Sequence, residues 1–121
     1  MGEIQNPKHF DLEERTFRFA KYVGLFVKQL PQNVSNMEYS RQVVRASGSV
    51  GANYIEVNEA LSKKDFIMRI KIYRKEAKES AYWLRLIVET NDEKYGTQGN
   101  SLLNEAIELK KIFSSILTKS G

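Results

Sequence analysis

Two carboxylate pairs, Glu56 with Glu59 and Glu76 with Glu79, stand three residues apart, a spacing that puts two acids on one helix face. Converging carboxylate oxygens are what a magnesium ion requires, and magnesium held that way would support nucleotide hydrolysis. Against a metal site, Glu79 has Lys75, Lys78 and Tyr82 as neighbours and can make ordinary surface ion pairs, which is the expected role. The sole histidine, His9, stands beside Phe10 ahead of the first helical pattern, with no serine or carboxylate motif to complete a catalytic relay. A turn or packing role is expected for it. No inward-facing Glu-x-x-His pair is present, which argues against a di-iron centre. The chain has no cysteine, so thiolate metal sites, disulfides and cysteine nucleophiles are excluded. No catalytic residue, metal or cofactor is assigned.

The basic residues offer a different chemistry. The formal net charge is +4, and the excess is concentrated: residues 62–90 carry +4, against +1 for 11–30, −1 for 36–61 and +1 for 100–121. Lys64, Lys71, Lys75, Lys78 and Arg85 fall within a sector of about 80° when projected at 100° per residue. A cationic stripe of this kind can contact the phosphates of RNA or DNA. Tyr82 could add base stacking, although packing against a neighbouring subunit is the expected role. The plain alternative is a solvated lysine face paired with Glu79 and Glu89.

Those side chains must be positioned by helices. A length of 121 residues suits one domain spanning 1–121, and only two prolines interrupt it. Apolar residues at helical spacing predict helices near 11–30, 36–61, 63–90 and 100–118. Asp11 with Glu14, Ser35 with Glu38, and Ser62 with Asp65 have the spacing of helix-starting caps, and Pro31 stops the first pattern. The seams run Leu12–Thr16–Phe19–Val23–Phe26–Leu30, Tyr39–Val43–Ala46–Val50–Asn53–Val57–Ala60, Phe66–Ile70–Tyr73–Ala77–Ser80–Leu84–Ile87 and Leu102–Ala106–Leu109–Phe113–Ile116. The segment 90–100, with two glycines and no apolar period, reads as the longest loop. The predicted fold class is all-α, an antiparallel up-and-down four-helix bundle. The opening MGEIQNPKHF lacks the apolar core of a secretory signal, and no apolar run reaches membrane-spanning length. A cytoplasmic protein without membrane contact is expected.

A second apolar stripe distinguishes two of the helices. Met37, Val44, Gly48, Gly51 and Ile55 lie away from the seam of the second, and Met68, Ile72, Tyr82, Trp83 and Leu86 lie away from that of the third. Gly48 and Gly51 should each cost about 1 kcal/mol relative to alanine in a helix. Close approach of another helix would offset that cost. These stripes predict self-association, with Gly48 and Gly51 setting the closest approach. Asn53 is a polar residue in an apolar seam and is assigned a structural role in fixing register, with Ser47, Ser49 or Tyr73 as partners.

The run from Tyr39 to Ile87 contains RASGSVGANYIE at Arg45–Glu56, then KDF and KEA–YWLRL in the third helix. It resembles the bacterial four-helix-bundle family known from 23S rRNA intervening sequences. That family usually carries N-I-x-E-G near the end of the second helix. This chain has Asn53-Tyr54-Ile55-Glu56-Val57 instead, which suggests a subgroup. The resemblance implies a homopentameric ring, as in the related accessory variability proteins of diversity-generating retroelements, which are regarded as nucleic-acid binders. The leading expectation is a non-enzymatic oligomer contacting RNA or DNA. A protein-interaction scaffold comes second and a magnesium-dependent nucleotide hydrolase third.

Overall fold

Four apolar seams can share one interior only if each segment coils into a helix and the helices pack side by side. The computed structural model describes residues 7–57 and 62–120, with side chains for 12–52 and 62–120. It holds α1 (Pro7–Val27), α2 (Val34–Val57), α3 (Lys63–Thr90) and α4 (Gly96–Ser120), with a single 3-10 turn at Glu93–Tyr95 leading into α4. No strand occurs among the described residues. Each helix packs on the next, and α4 returns to α1, the loosest of the four pairings. The packing is antiparallel: Asn36, Tyr39 and Arg45 of α2 meet Asn91, Trp83 and Glu79 in reverse order. The described part of every seam is covered. Phe19, Val23 and Phe26 of α1, Val43 and Val50 of α2, Tyr73 and Leu84 of α3, and Leu109 and Phe113 of α4 form the centre of the core.

Several helix ends differ from those predicted, each for a local reason. α1 begins at Pro7, a residue whose fixed φ and missing N–H suit the first helical position, so Asp11 and His9 lie inside the helix rather than before it. α1 stops at Val27; Gln29 and Leu30 then donate to Phe26 and Val27 in i→i+3 turns before Pro31, and Leu30 still reaches the core. The start of α2 is held by Asn33, whose Oδ1 accepts from the amide of Asn36 at 2.8 Å, and not by Ser35. Ser62 does cap α3, accepting from the Asp65 amide at 3.1 Å, while the Asp65 carboxylate turns to Arg69. The predicted extension of α2 through 58–61 lies outside the described residues.

The largest departure is at 90–100. Only Asn91 and Asp92 separate α3 from the 3-10 turn, and Gly96 and Gly99 belong to α4. Gly99 is buried, and a Cβ there would stand 2.6 Å from Val88 Cγ2 and 3.1 Å from Phe26 Cζ. The glycine lets α4 approach α3 and α1 and does not break the helix. Gly51 acts in the same way: its Cβ would lie 3.3 Å from the carbonyl oxygen of Thr16, so the close approach it permits is between α2 and α1 of one chain. Gly48 has open space around it.

One end of the bundle is closed by two asparagines. Asn36 and Asn91 exchange amide hydrogen bonds, both 2.8 Å, while Asn36 also donates to the Pro31 carbonyl at 2.8 Å and Asn91 to the Ile87 carbonyl at 2.9 Å. Carbonyls can only accept, so they fix the orientation of both amides, and all four N–H groups are used. The arrangement ties the α1–α2 connection to the end of α3. On the α1–α4 side, Arg15 forms a two-pronged bond to Glu105 at 2.8 and 2.9 Å. Asn36 is only 3% exposed, so removing either amide strands buried polar groups. Asn36→Ala and Asn91→Ala should each lower unfolding stability by about 1–3 kcal/mol. Urea denaturation should also show the double variant losing less than the sum of the two.

Candidate nucleic-acid interface

The basic residues of α3 recur at positions 71, 74, 75 and 78, the i, i+3, i+4, i+7 pattern that aligns side chains along one helix flank. That flank borders α4. Lys71, Arg74, Lys75 and Lys78 line a groove of about 410 Å³ with Lys110 and Ser114 of α4. In the core behind α3 and α4 the buried rings of Tyr73 and Phe113 meet at 6.0 Å, so the packed interior backs this flank of the bundle. Charges of one sign beside a low-dielectric wall concentrate their field in the cleft.

The groove stays cationic because the nearby carboxylates are engaged elsewhere. Glu79 accepts from Arg45 Nη2 at 3.1 Å, and Glu76 lies 3.5 Å from Arg45 Nη1, so these two acids of α3 face α2. Glu76 Oε1 is buried with no hydrogen-bond partner, which leaves that Arg45 contact to balance its charge. Glu79 therefore does not pair with Lys75 or Lys78, as the plain alternative of a self-paired lysine face would require. Among the described residues, none of the five groove cations makes an ion pair.

The predicted basic stripe is divided by this geometry. Lys71, Lys75 and Lys78 come together in the groove; Lys64, in the first turn of α3, is exposed but does not line it. Arg85 donates to Glu89 at 2.9 Å, and this hydrogen bond raises its pKa further while cancelling its charge locally. Arg74 and Lys110 were missed. Arg74 sits at the edge of the projected stripe, so widening the sector would have found it. Lys110 becomes a neighbour only through α3–α4 packing.

The apolar stripes occupy two separate flanks. Gly51 lies on the side of α2 that meets α1, against the backbone of Thr16 and Phe17, and Met37 lines a pocket with Val27 of α1; Val44 is exposed and Gly48 faces open space. Met68, Ile72, Trp83 and Leu86 lie on the side of α3 that meets α2, where Trp83 packs 6.0 Å from Tyr39. Met37, Val44, Met68 and Ile72 are exposed, whereas Trp83 and Leu86 are partly covered. The side chains of Asn53, Ile55 and Glu56, and all of Glu59, lie outside the described residues. Among the described residues no cluster of three or more metal-binding side chains is found, and no helix is long and apolar enough to cross a membrane.

A family model described as 23S rRNA-intervening sequence protein matches residues 8–115. The chain belongs to this family. A crystal structure of a protein of unknown function from the S23 ribosomal protein family of Bacteroides thetaiotaomicron is similar over 88% of this chain and 97% of that one, at 32% identity and a TM-score of 0.72. No protein of curated function matches the sequence. Neither the family description nor that of the similar structure names an enzymatic activity.

The groove makes its members distinguishable from Arg85. If phosphates occupy it, Arg74→Ala or Lys110→Ala should weaken binding of an RNA or DNA strand and lower the slope of log affinity against log salt by about 0.7 each. Arg85→Ala should leave both quantities nearly unchanged. Fluorescence anisotropy over a salt series measures all three variants.

Proposed function

We propose that this family member is a non-enzymatic, self-assembling helical bundle that contacts RNA or DNA through the α3–α4 groove. The observation that carries the reading is the convergence of Lys71, Arg74, Lys75, Lys78 and Lys110 on one groove with no ion pair among the described residues. Counterions released from a strand bound there would supply the affinity. A metal-dependent hydrolase finds less support, because the acids it would draw on in α3, Glu76 and Glu79, face the guanidinium of Arg45.

Assembly is the second half of the proposal. A closed ring joins two different surfaces of neighbouring subunits, whereas a two-fold dimer joins one surface to its own copy. The apolar patches on the α1–α2 and α2–α3 flanks provide two such surfaces, and the family resemblance suggests five subunits. A ring repeats the groove, and several weak phosphate contacts on one strand then reinforce each other. A cytoplasmic setting fits a nucleic-acid partner. If the protein assembles without binding nucleic acid, the scaffold reading takes its place.

Charge and assembly can be tested apart. Reversing Lys71, Lys75 and Lys78 to glutamate should abolish RNA and DNA binding while the mass by light scattering stays constant. Absence of binding by the unmodified protein at low salt would refute the nucleic-acid reading. Gly48→Leu places a bulky side chain in space that is open in the single chain, so the helical spectrum should persist while the assembly dissociates. A monomeric unmodified protein at high concentration would refute the assembly reading.

A further inference from the structure

A row of cations on a helix can meet either a duplex or a single strand, and the surroundings of α3 distinguish between them. The major groove of B-DNA, about 12 Å wide, admits a helix that projects clear of its neighbours. α3 does not project: it is packed against α2 on one flank and α4 on the other along its length. Helices packed at the usual 8–10 Å separation cover each other's sides and leave only a shallow outer strip free. A duplex could therefore touch α3 along one line of phosphates. A single strand can instead lie within the groove and meet cations from both walls, Lys71, Arg74, Lys75 and Lys78 on one and Lys110 on the other.

The row ends in an aromatic side chain. Tyr82 follows Lys78 by four residues on the same strip of α3 and is 59% exposed. Its ring is braced from one side by Trp83, edge-on at 5.0 Å with an interplanar angle of 81°. Trp83 itself is partly buried against the core. A tyrosine held in place by a buried neighbour, with its ring largely in solvent, is a platform for a base that is not paired. From Lys71 to Tyr82 the helix rises about 16 Å. That length matches about five nucleotides at the 3.4 Å spacing of a stacked strand.

We infer that the groove is selective for single-stranded nucleic acid, with phosphates on the cations between α3 and α4 and an unpaired base stacked on Tyr82. The inference rests on the nucleic-acid reading above and adds strand form and a stacking residue to it. Phosphates and base faces are common to RNA and DNA, so strands of equal length should bind with similar affinity unless the Ser114 hydroxyl on the α4 wall reads the ribose.

Anisotropy titrations of the full chain at low salt, with labelled 12-nucleotide oligo-U, 12-nucleotide oligo-dT and a 12-base-pair DNA duplex, test this directly. Both single strands should bind at least tenfold more tightly than the duplex. Tyr82→Ala should weaken single-strand binding about fivefold or more, the range expected for loss of one stacked base, while the salt slope and the particle mass remain those of the unmodified protein. Tyr82→Phe, which keeps the ring, should bind normally. Equal or tighter duplex binding overturns the selectivity and leaves the broader nucleic-acid reading standing. Full single-strand affinity in Tyr82→Ala, or a changed particle mass in that variant, overturns the stacking role. Binding of none of the three probes overturns both.

Discussion

The contact of Arg45 with Glu76 and Glu79 fixes where two of the acids of α3 point, and the charge pattern of that helix depends on it. α3 carries its acids and bases interleaved, and on an isolated helix Lys75 or Lys78 would have Glu79 within reach. Packing against α2 brings in an arginine with a planar, multi-donor head, and the two carboxylates turn towards it. The cations left behind face α4. The pair is partly exposed and contributes little to stability by itself. Its consequence lies in charge placement: it holds Glu79 away from Lys75 and Lys78, whose own positions on α3 make the opposite flank basic.

α3 consequently presents different chemistry around its circumference. Its inward face, Tyr73 to Ile87, is core; its α2 flank holds the Arg45 contact and an apolar patch; its α4 flank is a cationic groove. These roles depend on rotation and register. A shift of the helix by one residue would turn it by about 100° and bring core residues into the groove. The asparagine pair at one end and the capping Ser62 at the other restrain such a shift. Gly51 and Gly99, by allowing close backbone approach, hold α2 and α4 at fixed distances from their neighbours. Fold stability and site geometry are therefore carried by many of the same residues.

The sequence made the helices legible because each has a long interior seam, and a period of about 3.6 survives local irregularity. It was less informative where local and tertiary preferences conflict. Gly96 and Gly99 carry the local signature of a loop, yet α4 runs through them; Gly99 is glycine because Val88 and Phe26 leave no room for a side chain, a tertiary reason that local sequence does not show. Ser35 is as good a cap as Asn33 by type, and only the position of the Asn36 amide distinguishes them. The site was half legible for the same reason. Lys71, Lys75 and Lys78 share a helix and could be found by projection, while Lys110 and the partnership of Asn36 with Asn91, 55 residues away, exist only after packing. Gly51 was legible as a point of close approach but not as one within the chain.

The claim on which the functional account turns is that the α3–α4 groove is where nucleic acid sits. Lysine footprinting by acetylation and mass spectrometry, with and without a saturating single strand, tests it most directly. A strand seated in the groove protects Lys71, Lys75, Lys78 and Lys110 and leaves Lys21, Lys28 and Lys94 modified at the same rate in both samples. Unchanged reactivity at the four groove lysines, or protection confined to Lys21, Lys28 and Lys94, would contradict it.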